Sequence, residues 1–310
     1  MGTESIVERA RRSLGQVGAF LPNVPFAAAT AIADQRNAVA RLENAGYRAV
    51  WANEGVGGKD AFVQLATLLA ASERVTMGTG VASMWARPPE TAHGASALIE
   101  DAFPGRFVLG LGVGYPFQAT AVGSKFGRPL QTVRNYLERM DIPQTMTPAP
   151  SVEYPRILGA NGPKMLELAS SMTDGAIPTL IPVEYTRTAR SILGQDKLLV
   201  VGLAVVVDDD PARARATAEA FTEGTVGRPG SPYAENLARL GYTGDDLVDA
   251  AVAYGTAADI SAAIEQHLGA GADHVRISVV ATDFATGIDQ LEQLTPLALG
   301  AAGVDRDFQR

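Results

Sequence analysis

Short apolar runs alternate with alanine-rich or amphipathic stretches along almost the whole chain. The runs are Gln16 to Leu21, Tyr47 to Ala52, Val75 to Val81, Phe107 to Leu111, Arg156 to Ala160, Gly175 to Thr179, Leu198 to Val207 and His274 to Val280. Most are continuously apolar and bounded by glycine, proline or charge, the pattern of a parallel strand buried on both faces. Between them the spacing predicts helices over Ala27 to Ala45, Asp60 to Ser72, Glu90 to Ala102, Pro129 to Met140, Gly162 to Ala169, Val183 to Leu193, Pro211 to Glu223, Ala257 to Gly269 and Ile288 to Leu297. Gly46 stands at a helix end, and Pro88, Pro89, Pro163 and Pro211 stand at helix starts, where a missing N–H costs nothing. Eight strand-helix units with no break in composition predict an α/β chain of the (β/α)8 TIM-barrel type, a single domain over 1–310. Three segments depart from the beat. Residues 112–128 read as a long loop, 143–155 as a proline-rich connection without regular structure, and 224–256, with Asp245 to Ala253 inside it, as a helical excursion before the last strand-helix unit. Residues 1–14 read as a solvated leader, because no apolar signal-peptide core follows Arg9, Arg11 and Arg12.

Composition narrows the chemistry. With 46% hydrophobic and 19% charged residues the chain has material for a large core. A net charge of −8 offers no basic face for nucleic acid, and no apolar run reaches the length of a membrane span. A soluble, cytoplasmic protein is expected, without nucleic-acid or membrane partners. There are no cysteines, which excludes disulfides, thiolate nucleophiles and thiolate-bound metals, and the three histidines lie far apart, so no metal site is expected. Any chemistry is therefore organic and belongs to a cofactor.

The stretch Arg106 to Pro116 suggests where that cofactor sits. A buried strand empties into Gly110, Gly112 and Gly114, leaving backbone N–H groups uncovered for a flat or anionic ligand. It is not a dinucleotide-binding turn: Tyr115 and Pro116 stand where a further glycine and an immediate helix are needed, and three strands precede it. In a barrel, the carboxyl ends of the strands would gather Asn53 and Glu54, Gly80 to Trp85, Gly112 to Gln118, Ala160 to Gly162, and Gly175 with Ala176 around one mouth.

The succession GAFLP, AGYRAVWANE, RVTMGTGVASMWARPPETA, PGRFVLGLGVG and ILGANGPKMLELASSMTDGAIP resembles the bacterial luciferase-like monooxygenase superfamily. It is most similar to the branch of probable F420-dependent oxidoreductases, and VVVDDDPARARA, NLARLGYT and AGADHVRISVV extend the likeness over nearly the whole chain. The resemblance implies a TIM barrel holding coenzyme F420, or FMN in sister groups, at its mouth. It implies a non-prolyl cis peptide behind the cofactor ring at Gly80-Val81, with an ordinary tight strand end as the other reading. It implies a phosphate-side turn at Gly159, Ala160, Asn161 and Gly162, although Asn161 is also a good helix cap. By the same resemblance Gly175 and Ala176 border the phosphate, and Gly112, Val113, Gly114 and Gln118 line the ring, with Asn53 beside it.

Departures from the family pattern bear on mechanism. Sugar-phosphate dehydrogenases of the branch carry an Asp-His pair after the strand-two tryptophan and a Glu after the strand-four glycines. Here Trp51 is followed by Ala52, Asn53, Glu54 and Gly55, and the Glu place is Tyr115. Glu54 and Tyr115 are the candidate catalytic residues, Glu54 as an acid or base or as a hydrogen-bond partner of the cofactor, Tyr115 as a donor to a substrate oxygen. Trp51, Trp85 and Arg87 are candidate substrate contacts, the tryptophans alternatively being core. His93, His267 and His274 are read as structural. The expected function is hydride transfer between F420 and a small organic substrate. An FMN-dependent monooxygenase and a non-catalytic cofactor-binding relative are the alternatives, and a homodimer is possible.

Overall fold

The computed structural model describes residues 4–23, 29–227 and 231–301, the last six as backbone only. The chain opens with helix α1 (Ile6–Leu14), then β1 (Val17–Phe20), α2 (Ile32–Ala45), β2 (Ala49–Ala52), α3 (Ala61–Leu69), β3 (Thr76–Thr79) and β4 (Ala82–Ser83). Next come α4 (Pro89–Ala102), β5 (Phe107–Gly112), α5 (Pro116–Ala121), α6 (Pro129–Met140), β6 (Arg156–Leu158), α7 (Pro163–Met172), β7 (Gly175–Ala176) and α8 (Val183–Leu193). The last third holds β8 (Leu198–Val207), α9 (Pro211–Thr225), α10 (Pro232–Arg239), α11 (Asp246–Ala251), β9 (Val252–Gly255), α12 (Ala257–Gly269), β10 (His274–Val279) and α13 (Phe284–Ala301).

Eight parallel strands close on themselves in the order β1, β2, β3, β5, β6, β7, β8, β10, with β10 pairing both β8 and β1. Two strands lie outside the ring: β4 resumes pairing with β5 beyond the end of β3, and β9 pairs with the part of β8 that overruns the barrel. The (β/α)8 barrel is thus the observed architecture.

Side chains alternate across each strand. Val17, Ala19, Val50, Met77, Leu109, Leu158, Val201 and Ile277 point outward and pack against the helices. Phe20, Ala49, Trp51, Val108, Ile157, Ile177, Leu198 and Val200 form a separate inner cluster. That inner cluster includes Val7, Ala10 and Leu14 of α1, so the stretch expected to be a solvated leader is a helix that closes the amino-terminal end of the barrel. Ser5 and Glu8 form a capping box at its start, and Arg11 fastens it to Asp273 and to the carbonyls of Gln195 and Lys197. Its basic residues hid an amphipathic pattern in which Val7, Ala10 and Leu14 share one face.

Three other expectations change. Residues 112–128 contain α5, Val252 and Ala253 leave the predicted helix Asp245 to Ala253 to start β9, and the helix expected from Ala27 begins at Ile32, with Ala27 and Ala28 outside the described residues. The excursion builds its own apolar cluster, in which Leu180, Ala204 and Val206 of the barrel meet Leu237, Val248 and Val252. It therefore stands against the carboxyl ends of β7 and β8. No described helix is long and apolar enough to cross a membrane.

Candidate functional site

The barrel interior is filled by a few large side chains set against glycines on the strands they meet. A Cβ on Gly78 would lie 2.2 Å from the Trp51 ring, and one on Gly18 would lie 2.6 Å from His274. Trp51 is 0% exposed and donates from Nε1 to His274 Nε2 at 3.0 Å, while His274 Nδ1 meets the Gly15 carbonyl at the closed end. The expectation of Trp51 as a substrate contact is corrected: it is core, because Gly78 leaves room for the indole to turn inward.

Above this layer the mouth begins. The Gly80-Val81 peptide is cis, as the resemblance implied. Gly80 N donates to the Ala52 carbonyl (2.7 Å) and Glu54 N to the Val81 carbonyl (3.1 Å), which ties the bulge to the end of β2. Glycines make room around this bulge: a Cβ on Gly112 would lie 2.3 Å from Val81 Cγ2, one on Gly110 would lie 2.0 Å from the Thr79 carbonyl oxygen, and one on Gly159, past β6, would lie 3.5 Å from Val81 Cγ1. Half-buried Asn53, Gly80, Val81, Val113, Gly159, Asn161 and Thr179 lie at the carboxyl ends around it.

Glu54 is not a free acid or base. Its side chain is 2% exposed, Oε1 accepts from Ala61 N (3.0 Å) and Oε2 from Ser83 N (2.9 Å), and Arg87 grips both oxygens. Arg87 also pairs with Asp60 at 2.7 Å and lies over the Phe62 ring. Both residues thus join the ends of β2 and β4 to the start of α3, a bracing role beside the mouth. Trp85 donates to the Val113 carbonyl at 2.6 Å, and its ring faces Phe126. With Arg87, Lys125, Tyr136 and Arg139 it borders an open groove of about 690 Å³ beside the mouth.

Tyr115 keeps its place in the mouth. Its backbone N–H is capped by Gln118 Oε1 at 3.0 Å, and Gly114, at φ 57°, allows the turn that presents it. Gln118 thereby caps the start of α5. The Tyr115 ring stacks on Phe117, and burial, with the Tyr233 hydroxyl close by, raises the phenol above its ordinary range. Tyr233 comes from α10, so the excursion supplies one wall.

On the phosphate side, Asn161 is committed to the backbone of Thr179, donating to its carbonyl and accepting from its N–H, both at 2.9 Å. Gly162 is the helix cap, it has no side-chain cap, and nothing lies within 4 Å of where its Cβ would be. The start of α7 is open as an anion seat requires. Ala160 turns outward into the helix-packing cluster and cannot face the ligand. Gly175 and Ala176 are corrected: they pair with Ile157 and Leu198 at the start of their strand, at the closed end of the barrel, and the mouth end of that segment is Thr179.

The sequence reading missed Arg276. It projects from β10 into the barrel, is 4% exposed, and reaches the Gly80 carbonyl (3.2 Å) and Thr179 Oγ1 (3.3 Å) with its guanidinium over the Phe20 ring. The signal was present: His274, Arg276 and Ser278 alternate with Val275, Ile277 and Val279, a polar face on the last strand. Among the described residues no cluster of metal-ligating side chains occurs.

The family profile of the luciferase-like monooxygenases matches residues 16–274. A protein of Mycobacterium tuberculosis named as a coenzyme F420-dependent oxidoreductase is 27% identical over 252 residues, 66% of this chain and 72% of its own length. An F420-dependent secondary alcohol dehydrogenase, solved with an F420-acetone adduct, superposes with a TM-score of 0.72 at 17% identity over 92% of this chain and 99% of its own. The FMN-bound oxygenating component of a Pseudomonas putida diketocamphane monooxygenase does so with a TM-score of 0.68 at 11% identity, over 93% and 98%. Those two likenesses are of fold. The match of the family profile over most of the barrel, on a chain whose mouth is built around the bulge at Gly80, means that this enzyme belongs to the luciferase-like monooxygenase family.

Proposed function

We propose that the protein is an oxidoreductase that uses coenzyme F420 to pass a hydride to or from a small organic substrate in the barrel mouth. The observation that carries this reading is one open mouth in which the half-buried Gly80, Val81 and Val113 face an uncapped helix start at Gly162. The donor set fits such a cofactor: exposed main chain suits a flat ring, the start of α7 suits a phosphate, and a buried cation lies beneath. The name of the mycobacterial relative supports F420 over FMN.

Gly80 and Val81 would back the ring, Gly112 and Val113 border it, Gly159 and Asn53 lie at its edges, and Gly162 with the first turn of α7 would hold the phosphate. When bound, the deazaflavin supplies two-electron hydride chemistry. Tyr115 holds a proton on its hydroxyl, since burial disfavours the phenolate, and offers it to a substrate oxygen. Tyr233 orients that hydroxyl from α10.

Titration of the purified protein with F420 and, separately, with FMN tests the cofactor. Saturable quenching of F420 fluorescence is expected. Tight FMN binding with no response to F420 would replace this reading by an FMN-dependent monooxygenase, the activity class of the Pseudomonas neighbour.

A further inference from the structure

Among the described residues the chain treats buried arginines in two ways. Arg190, 6% exposed, is saturated: it donates to Gly271, Gly194 and Lys197 carbonyls at 2.7 to 2.8 Å and pairs with Asp273 at 2.6 Å. Arg276 is more deeply buried and has no carboxylate partner. Its two hydrogen bonds are long for a charged donor, at 3.2 and 3.3 Å, both to neutral oxygens, and its Nε finds no acceptor among the described residues. Space is nevertheless kept for it. A Cβ on Gly80 would stand 2.8 Å from Nη1 and one on Gly202 would stand 2.6 Å from Nη2, so two glycines, one just past β3 and one on β8, leave the space that the fork fills. Burial without a counter-charge lowers its pKa to about 10. Tyr233, on the excursion and beside the Tyr115 hydroxyl, offsets part of that effect.

A buried, unmatched cation destabilises a fold, and a fastening role would be served by neutral donors. We propose that Arg276 is the anion-binding floor of the mouth, taking one anionic oxygen of a ligand between its fork and the two tyrosine hydroxyls. That oxygen belongs to the carboxylate of an acidic substrate or to an ionised ring oxygen of the bound cofactor. The second source rests on the F420 reading above; the first does not.

The test compares the wild type with Arg276→Met, which keeps the length and removes the charge, and Arg276→Lys, which restores charge without the fork. Arg276→Gln stands in if the Met variant does not fold. Three readouts are taken: the melting temperature of the unliganded protein, its rise on adding formate or acetate at matched ionic strength, and the affinity for F420 by fluorescence. The unliganded Met variant is expected to melt at or above the wild type. If the carboxylates raise the melting temperature of the wild type only, with F420 affinity unchanged, the substrate supplies the oxygen. If F420 affinity falls about tenfold in the Met variant and recovers in the Lys variant, the cofactor supplies it. A Met variant that retains both responses, or whose only change is a lower melting temperature, makes Arg276 a structural fastener and overturns the proposal. Failure of the wild type to bind F420 removes the cofactor reading alone and leaves the carboxylate comparison to decide.

Discussion

At the scale of single residues, two acidic or phenolic groups that look equivalent in sequence are separated by their surroundings. Glu54 spends its acceptor capacity on two backbone N–H groups and on Arg87, so it holds elements together. Glu54→Gln would turn an NH2 toward an N–H donor and leave Arg87 with Asp60 alone. A loss of about 2 to 3 kcal/mol in urea unfolding is expected, with the remaining folded protein binding cofactor normally. Tyr115 is the reverse case. Tyr115→Phe is expected to leave the urea midpoint within error and to lower kcat by about 100-fold in an F420 absorbance assay. Equal turnover in the variant would remove Tyr115 as the donor. Gly78→Ala would drive a methyl into the Trp51 ring, with an expected cost of about 1 to 3 kcal/mol seen in thermal melting.

At the scale of elements, the short pieces outside the eight-fold repeat do much of the positioning. Helix α1 closes the bottom of the barrel with Val7, Ala10 and Leu14. Deleting residues 1–14 would uncover the inner cluster as well as remove those side chains, at an expected cost of about 5 kcal/mol. A lowered urea midpoint accompanied by binding of a hydrophobic dye checks it; an unchanged midpoint would mean that the plug carries no stability. Strand β9 and helix α10 act at the other end. By extending the sheet from β8 they bring Tyr233 over the mouth, where it meets Tyr115 from the opposite side of the barrel.

At the scale of the whole molecule, stability and pH are linked through two buried histidines. His267, bonded to Thr186, and His274, between Trp51 and Gly15, are each lowered to about 4, chiefly by burial. The unfolded chain takes up these protons near pH 6.5 and the folded chain only near 4, so acid favours unfolding. Stability is expected to be full above about pH 6.5 and to fall between there and about 4, by roughly 3 kcal/mol for each histidine; urea midpoints across that interval measure it. A flat profile would show that neither histidine is held neutral. The eight-strand barrel and its order were readable from sequence because each strand is an apolar run bounded by breakers, a local signal that neighbours do not alter. The mouth was readable in part: Gly80, Val81, Gly112, Gly162 and Tyr115 were placed by where their strands end. Local pattern along the chain specifies the repeat and the end of the barrel that is open. Long-range packing sets which side chains face the interior and which partners they meet there. Glu54 became a pin because Arg87 folds back onto it, Gly175 fell to the closed end because its strand runs on to Thr179, and Arg276 reached the interior because Gly80 and Gly202 vacate the space. Those facts depend on contacts between residues far apart in the chain, which no local pattern records.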